Sequence, residues 1–256
     1  MKASFFLILS LFMSLVLSGQ SEKAIAISYA SGSYLSLEDI LPPPPDTTDM
    51  APEDAAWELK QYENFAKKLA IKQVKETNEL KDTTTYTMYR HQISVDRGSY
   101  RLSDDEFRLI DLQEGRRYNY YTQDGVPKAG WSHLHDFENN WTCSYQIDTF
   151  PNERTNILGY DCYRMTIREH RIWESMGFEE TQHYDLFVTD ELPIPFRAVG
   201  VLWQPVTDVC ALEIRSSNPR TPNSYTHSIA VRVDTDLSPE KLALPEQYKG
   251  LKESKN

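Results

Sequence analysis

The sequence predicts an α+β chain dominated by a strongly curved antiparallel β-sheet, a half-barrel covered by one long helix, with a short helical turn near the C-terminus. Three observations predict it. Beyond Asp82, apolar residues recur at every second position in run after run. The runs are joined by short turn-forming stretches and not by helical crossovers, which marks antiparallel pairing. One stretch alone, 52–76, places apolar residues at helical spacing over several turns.

The first twenty residues stand apart from this pattern. Lys2 provides a basic start, Phe5 to Leu17 an apolar core, and Val16-Leu17-Ser18-Gly19-Gln20 a small and polar end. That layout is a secretory signal peptide, and the apolar run is shorter than the roughly 20 residues of a comfortable membrane span. An uncleaved anchor is the alternative. No Cys lies near the cleavage region to carry a lipid. A mature chain of about 235 residues fits one large β domain and buries a core without staples. No later segment has the length of a transmembrane helix, so the mature chain is expected to lack one. An exported, periplasmic or secreted, location follows.

Residues 21–51 read as an N-terminal segment. Ala24 to Ile27 suggests a short strand, and Pro42 to Pro45 a stiff polyproline spacer. Pro52-Glu53-Asp54 opens the long helix, because proline and acids suit a first turn. Ala55, Leu59, Tyr62, Phe65, Ala66, Leu69 and Val74 form its apolar stripe, expected to pack on the sheet. A single β domain is expected over 52–249, followed by a disordered tail, 250–256.

The strands follow in order. Tyr89, Ile93 and Val95 alternate with polar residues. Phe107–Asp111 and Arg116–Thr122 flank the hairpin loop Leu112-Gln113-Glu114-Gly115. Further runs carry Cys143, Tyr145 and Ile147; Tyr163, Met165 and Ile167; Tyr184, Leu186 and Val188; Cys210, Leu212 and Ile214; and Tyr225, His227, Ile229, Val231 and Val233. Leu192-Pro193-Ile194-Pro195-Phe196 is a candidate cover for one face. Ser238 before Pro239-Glu240 caps a short helical turn. Leu244-Pro245 stops it, and Tyr248 docks the tail.

The chain carries 27 basic against 38 acidic residues, and loss of the leader removes one further Lys. Such a surface repels phosphates, which excludes nucleic acid as an expected partner and argues against adsorption on anionic headgroups. It does not oppose an apolar molecule in an interior pocket. Of three cysteines, Cys143 and Cys162 are centred on the turn-like Pro151-Asn152-Glu153-Arg154, so a hairpin there sets them opposite each other as a disulfide. Three unpaired buried thiols are the alternative.

Catalytic signatures are lacking: there is no G-x-S-x-G elbow, no phosphate-cradling glycine loop and no H-E-x-x-H helix. No cofactor is implied. His133 and His135 share a face if extended, but a metal needs further ligands that the sequence does not place, so no metal site is assigned. Acid pairs such as Asp104-Asp105 and Glu179-Glu180 point to opposite faces of a strand and suit solvated turns. Arg116-Arg117-Tyr118-Asn119-Tyr120-Tyr121 mixes bases and aromatics; cross-strand packing explains it better than sugar or base stacking on so acidic a chain.

Leu109 to Tyr118, Ile157-Leu158-Gly159-Tyr160-Asp161-Cys162-Tyr163, Leu186 to Pro193 and Leu237 to Tyr248 resemble, in order and spacing, segments of an exported family of unknown function. That family has a fold like the periplasmic lipoprotein carriers of the LolA, LolB and LppX type. A related exported group carries a GLPGLI signature after the Leu-Pro turn, where this chain reads Phe196-Arg197-Ala198-Val199-Gly200-Val201-Leu202. The resemblance implies a bent sheet around an apolar cavity and no catalytic residue. The expectation is a non-catalytic, monomeric binder or carrier of an apolar or lipid-like small molecule. Its inward face is expected to comprise Tyr145, Ile147, Tyr163, Met165, Tyr184, Leu186, Ile229 and Val231, residues that equally suit a core. A structural or adhesive envelope protein acting through its outer surface is the second expectation. A metal-dependent hydrolase at His133 and His135 is the third.

Overall fold

Alternating apolar and polar residues leave each strand one face to bury, and the computed structural model gathers these faces into one open sheet. It describes residues 23–77, 80, 82–97, 106–134, 141–173, 177–196, 209–252 and 254–255. The expected signal peptide, His135, Asp104-Asp105 and Arg197 to Leu202 lie outside these residues.

The strands are β1 (Ala24–Tyr34), β2 (Asp82–Tyr89), β3 (Gln92–Asp96), β4 (Phe107–Asp111), β5 (Arg116–Gln123), β6 (Val126–His133), β7 (Trp141–Ile157), β8 (Tyr160–Trp173), β9 (Phe178–Thr189), β10 (Cys210–Asn218), β11 (Thr221–Leu237) and the two-residue β12 (Ser254–Lys255). Their spatial order is β12-β6-β5-β4-β3-β2-β1-β11-β10-β9-β8-β7. Every neighbouring pair is antiparallel except β12 with β6. Two meanders, β2–β6 and β7–β11, are therefore joined through β1.

That placement corrects the reading of residues 21–51 as a segment ahead of the domain. The short strand at Ala24 extends to Tyr34 and pairs on both sides, with β2 and β11. The tail differs as well: Ser254 and Lys255 pair with Gly130 and Trp131 instead of trailing free. The turn at its base is as expected. Ser238 Oγ accepts from Glu240 N at 3.3 Å, and Pro239–Leu242 forms a 3₁₀ turn. Tyr248 is fully buried against Tyr120, ring centroids 5.7 Å apart.

The helical stretch runs as α2 (Pro52–Gln61), a π-helical turn (Tyr62–Lys67) and α3 (Lys68–Thr77), preceded by the four-residue α1 (Leu37–Ile40). Its last segment, α3, approaches β1 and buries Ala70, but most of the apolar stripe expected to pack there stays off the sheet. Neither α2 nor the π turn buries a residue, and Phe65 and Leu69 are 70% and 66% exposed. The segment Leu192 to Phe196 does cover the sheet: Leu192, Ile194 and Phe196 are buried in the main core with Ile27, Tyr29, Ile93, Ile110, Met165, Ile167, Leu186 and Leu212. The face of the sheet that carries those strand residues is called the core face below. On the opposite face of β5, Tyr118 and Tyr120 form a second cluster with Tyr248.

The β4–β5 loop lies where expected, held by Asp111 Oδ1, which accepts from Gln113 N and Glu114 N at 2.9 Å each. The β7–β8 turn does not. It is made by Leu158 and Gly159, at φ 54° and 94°, while Pro151-Asn152-Glu153 sits in a bulge of β7 between Phe150 and Arg154. An edge strand tolerates proline at such a bulge. The shift moves the cysteines apart: Cys143 pairs with Arg171, and Cys162 with Thr155. All three cysteines are free, so the expected Cys143–Cys162 bridge is not formed. Cys210 pairs with Thr189 of β9, and Cys162 adjoins Tyr163, which pairs with Val188 on the other side of β9. Two intervening strand spacings of about 4.8 Å exceed the Cα separation of a disulfide.

Leu158 occupies a left-handed position that asparagine tolerates better, and its side chain is 48% exposed. Leu158→Asn should therefore stabilise the chain by about 0.5–1 kcal/mol, read as a higher denaturation midpoint. Burial pushes the Cys162 thiol up to about 11 and the Cys210 thiol up to about 12. Both should resist alkylation at pH 8 until the chain unfolds, and a thiol titration in denaturant should then count all three cysteines of the sequence. A count of one thiol would restore the bridge.

Candidate ligand-binding site

The eight residues expected to line an inward face divide by register. Tyr145 and Ile147 on β7, Tyr163 and Met165 on β8, and Tyr184 and Leu186 on β9 share one parity, with Ile147, Ile167 and Tyr184 in one row and Met165 beside Leu186 in the next. Met165, Tyr184 and Leu186 are buried in the core; Tyr145 and Tyr163 pack against it, and Ile147 is exposed at the sheet edge. Ile229 and Val231 do not join them. Ser28 pairs with Arg232 and Tyr29 with Ala230, so Val231 is the extra residue of a β-bulge and is 50% exposed. Beyond the bulge Val233 reaches the core; before it, Ser224, Thr226, Ser228 and Ala230 take the inward parity and Ile229 faces the other way. Small residues are needed there, because tyrosines from neighbouring strands occupy the space above them.

Those tyrosines wall a cavity of about 300 Å³. Tyr29 and Ser31 come from β1, Thr84 and Tyr86 from β2, Thr226 and Ser228 from β11, Ile214 and Ser216 from β10, Gln182 and Tyr184 from β9, and Arg171 from β8. Six successive strands thus contribute to one wall. Of the eight expected residues, Tyr184 alone is among the lining. Tyr29 and Tyr86 meet edge to face at 5.9 Å. Tyr29 donates to the Ala211 carbonyl at 2.6 Å, which fixes its ring from two strands away. Ser31 and Ser228 hydroxyls are 2.7 Å apart, and Gln182 Nε2 donates to Ser216 Oγ. The lining is aromatic with a rim of neutral hydroxyl and amide groups, the composition of a small-molecule pocket at the low end of the usual size.

Its charged member is anchored from behind. Arg171 Nη2 donates to Glu169 Oε2, and Arg171 Nη1 lies 3.5 Å from Glu180 Oε2. Glu169 is fully buried and also accepts from Tyr145 at 2.7 Å and Tyr184 at 3.3 Å. Burial first, and then the Glu169 charge, raise both phenols well above their ordinary range, so they remain donors at any physiological pH. No role is assigned to Glu169 or Arg171 from the sequence, since charged residues are almost never fully buried unless paired. The signal was nonetheless present: Tyr163, Met165 and Ile167 continue in parity to Glu169 and Arg171.

A larger cavity, about 410 Å³, lies against the opposite face, among Asp148, Arg164, Arg168, His183, Asp185 and Arg215. Its polar groups largely satisfy one another, since Arg164 bridges Asp185 at 2.8 Å and Glu153 at 2.9 Å. Desolvation, then Arg168, lowers the His183 pKa and keeps that ring neutral near pH 7. His133 stacks edge-on against Trp131 at 5.0 Å. Among the described residues no three His, Cys, Asp or Glu gather in a way that would hold a metal ion, and no helix is long and apolar enough to cross a membrane.

Removing one member of the buried pair should leave the other uncompensated. Glu169→Ala is expected to lose about 3–5 kcal/mol of stability. The double change Glu169→Leu with Arg171→Met should recover part of it in urea unfolding, since an apolar pair of similar volume removes both ionic desolvation penalties while the Tyr145 and Tyr184 hydroxyls lose their acceptor. No family model matches this chain, and no curated protein matches it.

Proposed function

We propose that this chain is an exported, non-catalytic protein that binds or carries an apolar or lipid-like small molecule in the cell envelope. One observation carries the reading: six successive strands, β2-β1-β11-β10-β9-β8, contribute to one tyrosine-walled cavity of about 300 Å³. Six flat strands would spread over roughly 24 Å at their usual spacing, so a shared cavity favours a sheet bent into a half-barrel. Rings on its walls offer apolar contact area, and the hydroxyls and Gln182 offer hydrogen bonds that orient a polar end. The resemblance to the lipoprotein carriers points the same way. The exposed apolar stripe of the helical stretch, with Trp57, Phe65 and Leu69, suits a cover that closes over an occupied half-barrel.

That same stripe supports the second reading, a structural or adhesive protein acting through its outer surface, since exposed apolar rows mark interaction sites. The two readings separate at the cavity. N-phenyl-1-naphthylamine should bind saturably and fluoresce with the purified chain. Ser228→Phe, which fills the cavity, should weaken binding by roughly tenfold or more, the effect of losing one to two kcal/mol of contact. Val231→Ser, on the other side of the sheet, should leave it unchanged. Saturable binding that ignores Ser228→Phe would remove the pocket from consideration. Native mass spectrometry of protein recovered from its own envelope should show a co-purified lipid.

A further inference from the structure

The mixed strand Arg116–Tyr121 divides by parity. Tyr118 and Tyr120 face the C-terminal cluster, while Arg117 and Asn119 turn to the core face. In register, Arg117 sits between Ile110 and Ser132, and Asn119 between Arg108 and Gly130. Arg97 directly follows β3, in the parity of Val95, which pairs with Arg108. Arg108 is tied to Glu106. Among the described residues, Arg117 and Arg97 have no carboxylate or hydrogen-bonding partner, although Arg117 is half-buried. Burial is the main cause of a lowered Arg117 pKa, and the nearby Arg97 and Arg108 charges add to it. The same three cations act on the phenol of Tyr86, opposing the rise that burial imposes. Asn119 Oδ1 is buried without a hydrogen-bond partner. A half-turn about χ2 would present the amide –NH₂ there instead.

These features converge on one need. Of the three guanidinium groups, that of Arg108 is ion-paired, with Glu106, on a chain with a net charge of −11, and a half-buried cation without a partner is destabilising until an anion arrives. Tyr86, which all three arginines influence, is also a wall of the tyrosine pocket.

We infer that Arg117 and Arg97, with Arg108 and Asn119 beside them, form an anion site on the core face of β3–β5 that receives the acidic headgroup of the ligand whose apolar part lies in the tyrosine pocket. This rests on the pocket reading above and narrows it to an anionic amphiphile, carboxylate or phosphate. Arginine suits either head, because its fork donates two parallel hydrogen bonds to paired oxygens.

The test uses the purified full chain and three probes in calorimetric titration: oleate, monoolein and inorganic phosphate. Oleate should bind more tightly than monoolein by roughly tenfold or more, the worth of one charge-assisted contact. Arg117→Gln should remove that preference while leaving monoolein binding unchanged, and Arg117→Lys should retain part of it. The melting temperature of Arg117→Gln should stay level or rise, since an uncompensated charge has been removed. Equal affinity of the unaltered chain for oleate and monoolein overturns the anion site and leaves the pocket standing. Phosphate binding that Arg117→Gln abolishes, without binding of either amphiphile, upholds the anion site and sinks the pocket. No binding of any probe overturns both. A lowered melting temperature with the oleate preference intact assigns Arg117 a structural role and overturns the inference.

Discussion

The pairing of β1 with β11 is the constraint on which the rest of the architecture depends. Each meander consists of hairpins whose strands are neighbours in sequence, and such units close at small entropic cost. β1 is different. It bonds β2 on one side and, nearly two hundred residues further along the chain, β11 on the other. Without it there would be two sheets, each with an additional open edge. Tyr29 stands at the seam, donating to Ala211 across β11 and meeting Tyr86 on β2. The tyrosine cavity straddles that seam, so its shape is a consequence of the long-range pairing and not of either meander alone.

Placement of charge follows the same division. The β7–β11 meander contributes Glu169, Arg171 and Glu180, in which Arg171 is ion-paired to both acids and Glu169 positions Tyr145 and Tyr184. The β2–β6 meander contributes Arg97, Arg108 and Arg117, of which one is neutralised by Glu106. A buried ion pair adds little net stability. An incompletely compensated group of cations retains attraction for an incoming anion. The core face thus carries an acid-rich, ion-paired pole and an arginine-rich one with tyrosine rings between them, and their asymmetry gives the cavity a direction.

Bulges decide which side chains take part. In β11 the extra residue Val231 reverses parity, so that serine, threonine and alanine face inward over Ser224–Ala230 and Val233 faces inward beyond. In β7 the extra residues near Pro151 shift the hairpin and separate Cys143 from Cys162. Both bulges thicken the local twist, and both accommodate groups that a regular ladder would exclude: tyrosine rings above small residues in one case, proline on an edge strand in the other.

The sequence by itself determined the class of structure. Period-two hydrophobicity set the strands, the loop at 112–115 and the direction of pairing; proline and acids opened the helical stretch; Ser238-Pro239 and Tyr248 placed the C-terminal turn. Each of these depends on residues close together in the chain, where local sterics and hydrogen bonding act alone. The parity of β8 also held the buried Glu169 and Arg171 in plain view, hidden only by their charge. Tertiary structure decided the remainder. A bulge leaves no mark in alternation, so neither the inward turn of Ser228 nor the outward turn of Val231 was legible. Leu158 is no turn former by type, and it adopts the left-handed position because the ladder on either side requires it. The cavity and the group of arginines combine strands that are far apart in sequence, and only the β1 seam brings them to one face.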